Sequence, residues 1–366
     1  MIKKNLKFII IGAITLIAII IAIFAVSVIC DYNGSSRNGD ICKITIPQGS
    51  SVSAIANILE ENGVVDSALA FRIYSKLAKT ESKYHFGSYE FKNDIGFEEI
   101  AKLLITKGQK AQTKTVTIPE GTSIYDYTKN VNKKDVTVPG IATLLEKAGV
   151  CDKEAFFEAL SEIQLDSKLL KNASSDKAYV ALEGYLFPDT YDFYIGEDSK
   201  KYAKLAIEKM IAKAESVITD DMYKRADEMG YTINQILTMA SIVQMESGQN
   251  GNEMVNVAGV FYNRLNNPDK FPTLGSSPTC YYGTFNPSDD HRYDTYKIKG
   301  LPPGPLCSPG EKAIKAALYP TENTPYFYFV TDKNGKFYYH KTSAEQTATI
   351  NRLQNEGNWI YEYFNK

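Results

Sequence analysis

The residues best placed to do chemistry close an apolar run. Residues 240–248 read ASIVQMESG, and the segment leading into them carries Ile236, Leu237, Met239, Ala240, Ile242, Val243 and Met245 with no wide polar face between them. That pattern predicts a helix buried around most of its circumference. Glu246 sits one turn beyond Ile242 and Val243. A carboxylate in an apolar setting is costly unless it is paired, protonated or used. Desolvation and the negative end of the helix dipole both disfavour its ionised form. A glutamate kept protonated near neutral pH is what general acid catalysis of bond cleavage requires. A solvent-facing helix end accounts for the same residues, and this helix alone leaves the two readings equal. Other chemistries have less behind them. The three histidines (His85, His291, His340) and five scattered cysteines show no metal-ligand spacing and no CxxC pair. No Ser/His/Asp motif is apparent. A net charge of −2 gives no sign of a nucleic-acid binder. Twenty-five tyrosines against one tryptophan supply flat faces with a hydroxyl, which suit sugars but also serve as ordinary core and surface residues.

The elements that must position Glu246 can be read from local pattern. Thr232 and Gln235 form a capping-box signature at the start of its helix, and Gly248 is a stop. Residues 152–163 (DKEAFFEALSEI) read as a helix with Asp152 as N-cap, and 199–218 as a long amphipathic helix. VAGVFYNRL (257–265) reads as the helix after Glu246. Ser308-Pro309-Gly310-Glu311 reads as a second capping box opening the helix EKAIKAALYP. YFYFVT and KFYYH flank DKNG, a hairpin signal. The loops ALEGYLFPDTYDF (181–193), TLGSSPTCYYG (273–283) and YDTYKIKGLPPGPLCSPG (293–310) are rich in Gly, Pro and Tyr, and together point to a groove. Near the N-terminus, Phe8 to Cys30 carries no charge. As a helix it would be about 34 Å long, enough to cross a bilayer once. Lys3, Lys4 and Lys7 before it predict a cytoplasmic N-terminus (1–7) and an extracytoplasmic remainder. Residues 31–43 then read as a polar linker. ITIPQGSSVSAIANIL from Ile44 and VTIPEGTSIYDYTKNV from Val116 echo one another as strand, turn, cap and helix. The 44–112 segment reads strand–helix–helix–strand–helix, which resembles a LysM-type module; a strand-turn-helix unit with no carbohydrate role fits the pattern equally. Residues 113–366 read as a mixed domain. The predicted class is α+β, with a single N-terminal transmembrane helix, a small LysM-like module and a mixed α+β catalytic domain.

The set EGYLFPDTY, ASIVQMESG, VAGVFYNRL, YDTYKIKGLPPGPLCSPGEKAIKAALYP and YFYFVTDKNG closely resembles the YceG-like (MltG) endolytic murein transglycosylases over about 44–366. The resemblance implies a membrane-anchored lyase, at the cell membrane with its catalytic domain outside. It would cleave nascent peptidoglycan strands between N-acetylmuramic acid and N-acetylglucosamine, leave 1,6-anhydro-N-acetylmuramic acid ends and so terminate elongation. It implies no cofactor, no metal and no nucleic acid. The implied partners are glycan strands, the membrane through the N-terminal helix, and wall-synthesis transpeptidases. Where the family helix commonly reads ASIVEKET, this chain has Gln244, so Glu246 alone carries the catalytic role. Candidate substrate contacts are Glu183, Tyr185, Ser247, Asn263, Ser277, Tyr282 and Tyr296. Glu183 fits a loop brace as well as a substrate contact, and Asn263 with Arg264 fit a structural role somewhat better than a substrate contact. Ser277 stands where the family usually has an acid (SDPT), and the family's usual His after the last hairpin is replaced near Gln346. These departures keep two other readings in play: a hydrolytic muramidase and a non-catalytic wall-binding scaffold.

Overall fold

The computed structural model describes residues 25–47, 50–106, 113–131, 134–173, 178–248, 250–282 and 291–359. The chain divides into two compact units, 1–112 and 113–366. In the first, helical residues 25–33 (α1) lead to β1 (Ile41–Ile46), α2 (Val52–Glu61), α3 (Ala68–Leu77), β2 (Gly87–Lys92) and α4 (Phe97–Thr106). β1 and β2 pair antiparallel, Ile41 opposite Lys92 and Ile46 opposite Gly87. Burial alternates along β2, so Tyr89 and Phe91 face inward. There they join Phe71, Phe97, Ile100 and Leu104 in one core.

The expected membrane helix over 8–30 is corrected here. Among the described residues no helix is long and apolar enough to cross a membrane, and residues 8–24 of the expected span lie outside them. The helical residues run on past Cys30 to 33 and carry Asp31 into the unit. Asp31 is 1% exposed. Its carboxylate pairs with Arg37 and accepts from the backbone amides of Asp66 and Ser67, each at 2.9 Å. Arg37 also donates to the carbonyl of Ile95 at 2.9 Å. A buried charge is tolerable only with such a full set of partners. Residues 31–40, which read as a polar linker, hold this clasp.

The second unit runs β3 (Thr113–Thr117), β4 (Tyr127–Val131), β5 (Lys134–Val138), α5 (Ile141–Lys147), α6 (Lys153–Glu162), β6 (Thr190–Tyr194), α7 (Ser199–Val217), α8 (Asp220–Glu228), α9 (Ile233–Ser247), α10 (Gly251–Leu265), the short α11 (Pro278–Tyr281), α12 (Glu311–Leu318), β7 (Tyr328–Thr331), β8 (Phe337–His340) and α13 (Ser343–Asn355). Content is mixed α+β, and its strands pair two by two: β3 with β6, β4 with β5, β7 with β8. Two cores form. One gathers β3, β6, α5, α6 and α7 around Phe156, Phe193 and Met210. The other surrounds α9 with side chains from α8, α10 and α12.

Two local expectations fail. The second strand–turn–helix echo is no helix: residues 127–131 are β4, antiparallel to β5, with Thr128 opposite Thr137. β-Branched and aromatic residues on both segments favour a paired pleat over a helix. Asp126 instead ties the segment to the start of α5, accepting from the amide of Gly140 at 2.7 Å. Nor does Ser308 cap α12. The N-cap is Gly310, without a side-chain bond, and its amide donates to Gln244 Oε1 at 3.1 Å. A Cβ at Gly310 would fall 2.1 Å from the Glu120 carboxylate, so a larger residue there would have to displace that side chain.

Candidate active site

α9 begins at a complete capping box between Thr232 and Gln235 and ends at Gly248, whose φ is 57°. Ile236, Met239, Ala240, Ile242 and Val243 are each fully buried, so neighbours enclose the helix as its composition predicts. Its few polar side chains fasten the surrounding loops. Ser241 Oγ accepts from the amide of Leu306 at 3.0 Å. Gln244 donates to the carbonyl of Gly248 at 2.7 Å while accepting from Gly310. The loop carrying Leu306 is tied again where its Ser308 amide donates to the Thr122 carbonyl at 2.9 Å.

At the end of this helix Glu246 is half-buried. The Ser276 hydroxyl donates to Glu246 Oε1 at 2.7 Å, and Ser276 itself is 0% exposed. The next residue, Ser277, has its hydroxyl 3.2 Å from that of Tyr296, a residue that is 55% exposed. The Tyr296 hydroxyl lies in the field of the Glu246 carboxylate. Arg264, on α10, is the nearby cation. Burial lowers the pKa of its guanidinium, and the charge of Glu246 works against that. Its donors are aimed at backbone: Nε at the Phe327 carbonyl (2.7 Å), Nη1 at the Leu274 and Gly275 carbonyls (2.6 and 3.3 Å). The result is one half-buried carboxylate with a fixed hydroxyl donor, an exposed aromatic ring and a buried cation. A carboxyl so held can give and take a proton beside a polyhydroxylated ligand.

The YceG-like family model matches residues 44–352. An endolytic murein transglycosylase of Bacillus subtilis is 33% identical over 319 residues, which cover 82% of this chain and 82% of the relative. The chain belongs to the YceG-like family. An endolytic murein transglycosylase of Streptococcus pneumoniae is 28% identical over 84% of this chain but only 57% of its own length. A crystal structure of a yceG-like protein from Listeria monocytogenes aligns with a TM-score of 0.52 at 26% identity, over 85% of this chain and 100% of that one. The YceG-like match runs through both compact units. The first unit is thus part of the family's own length, and a separate LysM-like assignment for it is not supported.

In this YceG-like chain the other residues singled out from the sequence fall into two groups. Ser277 and Tyr296 stand beside Glu246, and Ser247 follows it on α9, 6% exposed. Glu183, Tyr185, Tyr282 and Asn263 face the protein interior or other loops. Glu183 is 2% exposed. Its oxygens accept from the Ile124 amide (3.2 and 3.1 Å) and the Tyr282 hydroxyl (3.1 Å). Burial pushes its pKa up to about 8, against the pull of those donors. Tyr185 is 1% exposed and donates to Asn234 Oδ1 at 2.8 Å. Gly184 between them has φ 81°, and a Cβ there would meet Pro305 at 2.4 Å; the EGY turn is a packing device against the 301–310 loop. Asn263 donates to the carbonyls of Thr324 and Tyr326 at 3.1 and 2.9 Å. Ser276 went unnoticed in the sequence. Its neighbour drew attention by standing where the family has an acid, and only the backbone course shows which of the two serines reaches Glu246. Among the described residues no group of three or more His, Cys, Asp or Glu gathers as a metal site.

Proposed function

We propose that this chain is an endolytic lytic transglycosylase of peptidoglycan and that Glu246 is its acid and base. The observation that carries the reading is the half-buried Glu246 carboxylate bonded to Ser276. The activity named for the Bacillus and Streptococcus relatives supports it. Glu246 protonates the glycosidic oxygen between N-acetylmuramic acid and N-acetylglucosamine. The C1–O bond breaks as positive charge builds on the muramoyl ring. That sugar's own C6 hydroxyl attacks C1 and returns its proton to Glu246, leaving a 1,6-anhydro end. No water is consumed, and the intramolecular nucleophile acts at high effective concentration. Ordinary glycosidases divide the task between two carboxylates; here one serves twice. The inward-facing carboxylate of Glu183 supports the single-acid reading, and its place is that of a brace rather than a substrate contact. Tyr296 and Ser277 are the substrate contacts this arrangement favours.

A polymeric wall glycan as substrate supports a catalytic unit outside the cytoplasm. Cleavage of growing strands supports a place beside the transpeptidases that crosslink them, which co-purification from crosslinked cells tests. The function itself is tested by mass spectrometry of glycan strands digested by the protein, with Glu246→Gln as control. The expected products carry anhydro ends, and the variant loses at least about a thousandfold in rate. Reducing-end products would make the enzyme a hydrolytic muramidase. No products from either protein would make it a wall-binding scaffold. Undiminished cleavage by the variant would remove Glu246 from its role.

A further inference from the structure

We infer that Ser276 is a positioning residue for Glu246: its hydroxyl holds Oε1 and thereby assigns the transferable proton to Oε2. The inference rests on the reading of Glu246 as the acid.

Ser276 is suited to this by how completely its backbone is held. Its amide donates to Thr295 Oγ1 at 2.9 Å, and its carbonyl accepts from Thr279 Oγ1 at 2.6 Å. The Thr279 and Thr295 hydroxyls lie 2.7 Å apart. The Thr295 amide donates to Thr279 Oγ1 at 3.1 Å, and the Gly275 amide to the Thr295 carbonyl at 2.9 Å. Thr279 and Thr295 are 1% and 0% exposed. Each hydroxyl has one proton to give, and one direction of donation satisfies the ring. The Thr295 hydroxyl gives to Thr279, the Thr279 hydroxyl to the Ser276 carbonyl, and the Ser276 amide to Thr295. A closed buried network of this kind is rigid, and it leaves the Ser276 side chain aimed at Glu246.

A neutral carboxyl has one carbonyl oxygen, which accepts hydrogen bonds well, and one hydroxyl oxygen, which donates. A serine proton given to Oε1 favours Oε1 as the carbonyl oxygen and places the acid's proton on Oε2. The same donor would otherwise have to be re-formed in each catalytic cycle as Glu246 passes between acid and base. A fixed donor spares that reorganisation. Donation to a carboxylate also favours the ionised form, so removing it makes the acid harder to ionise. Among the described residues, Arg264 on α10 and Tyr296 in the loop after α11 are charged or titratable groups whose fields reach Glu246; the substitutions below alter neither.

The test uses the full chain with S276A, S276V and S276T beside E246Q, assayed on uncrosslinked glycan strands for kcat, KM, pH profile and melting temperature. S276A and S276V are expected to lower kcat about 10- to 100-fold, the range a small misplacement costs, with KM changed less than about twofold. The alkaline limb of the kcat profile is expected to move up by roughly half a pH unit or more. Thr and Val share the same branched bulk, so S276T should exceed S276V in kcat by about tenfold or more and return the limb toward its original position. If S276A does not fold, the Thr/Val pair decides. Equal impairment of S276T and S276V would overturn the inference, as would a loss of rate with an unmoved limb, or an S276A that keeps both rate and limb. Continued cleavage by E246Q is a separate result, and it would overturn the assignment of the acid itself.

Discussion

Glu246 has its carboxylate held from outside its own helix, by a serine thirty residues on whose amide and carbonyl are both engaged. The exposed ring beside it is the natural platform for a sugar face. Tyr296→Ala should therefore raise KM about tenfold, the loss of roughly 1.4 kcal/mol of ring contact, and lower kcat far less. Tyr296→Phe, which removes only the hydroxyl facing Ser277, should change KM less than about threefold. Steady-state kinetics on glycan strands separates these, and a kcat effect larger than the KM effect in Tyr296→Ala would contradict a binding role. At this scale the apolar run marked Glu246 as a candidate on equal terms with a solvent-facing helix end, and the family resemblance, with Gln244 in place of a second glutamate, singled it out. The sequence did not separate Ser276 from Ser277, because two adjacent serines in a loop are equivalent until the backbone is placed.

Loops at the level of whole elements are fastened by buried polar side chains, and each makes a stability argument. Glu183 joins the EGY turn to Ile124 and Tyr282. Its pKa is raised from 4.5 to about 8. Between those values the native chain keeps a proton that the unfolded chain releases, so stability falls as pH rises through this window, by at most about 1.4 kcal/mol per unit. Glu183→Gln, which keeps the shape without the charge, should flatten the fall in melting temperature between about pH 5 and 8; thermal unfolding across that range checks it. Arg264 spans three carbonyls, joining α10 to the Leu274–Gly275 turn and to the β7–β8 hairpin through Phe327. Arg264→Met leaves the buried Leu274 carbonyl and the part-buried Phe327 and Gly275 carbonyls without this donor, and a loss of about 1–3 kcal/mol is expected in chemical denaturation. Arg264→Lys should recover less than half, since an ammonium cannot reproduce the planar fork. A fully stable lysine variant would show that the fork geometry is dispensable.

The whole molecule has two compact units, and the first carries a core of its own around Phe71, Phe91 and Phe97. Scanning calorimetry should show its unfolding as a separate event. Phe71 is 0% exposed, so Phe71→Ala should cost about 3–5 kcal/mol in that transition while leaving the other in place. A single transition displaced as one would show that the two units unfold cooperatively. The family match over 44–352 covers both.

Much of this architecture follows from local rules. The periodicity of α2, α3, α4, α6, α7 and α9, the caps at Asp152 and Thr232, the β7–β8 hairpin and the buried character of α9 all arise from interactions within a few residues. Such interactions are legible in a sequence because their partners are close along it. What only the tertiary structure decided depends on partners tens of residues apart. Residues 127–131 became a strand because a pairing partner was available in β5. Gly310, rather than Ser308, is the N-cap of α12, and its amide finds its acceptor on Gln244, sixty-six residues back along the chain. Asp31, in a stretch with the composition of a linker, is buried because Arg37 and the amides of Asp66 and Ser67 surround it. Glu183 turned inward although nothing in its loop forbade exposure. The sequence, through its apolar run and its family resemblance, marked one carboxylate as the candidate acid. The fold decided which hydroxyl holds it, because a hydrogen bond is set by the meeting of two chain segments in space.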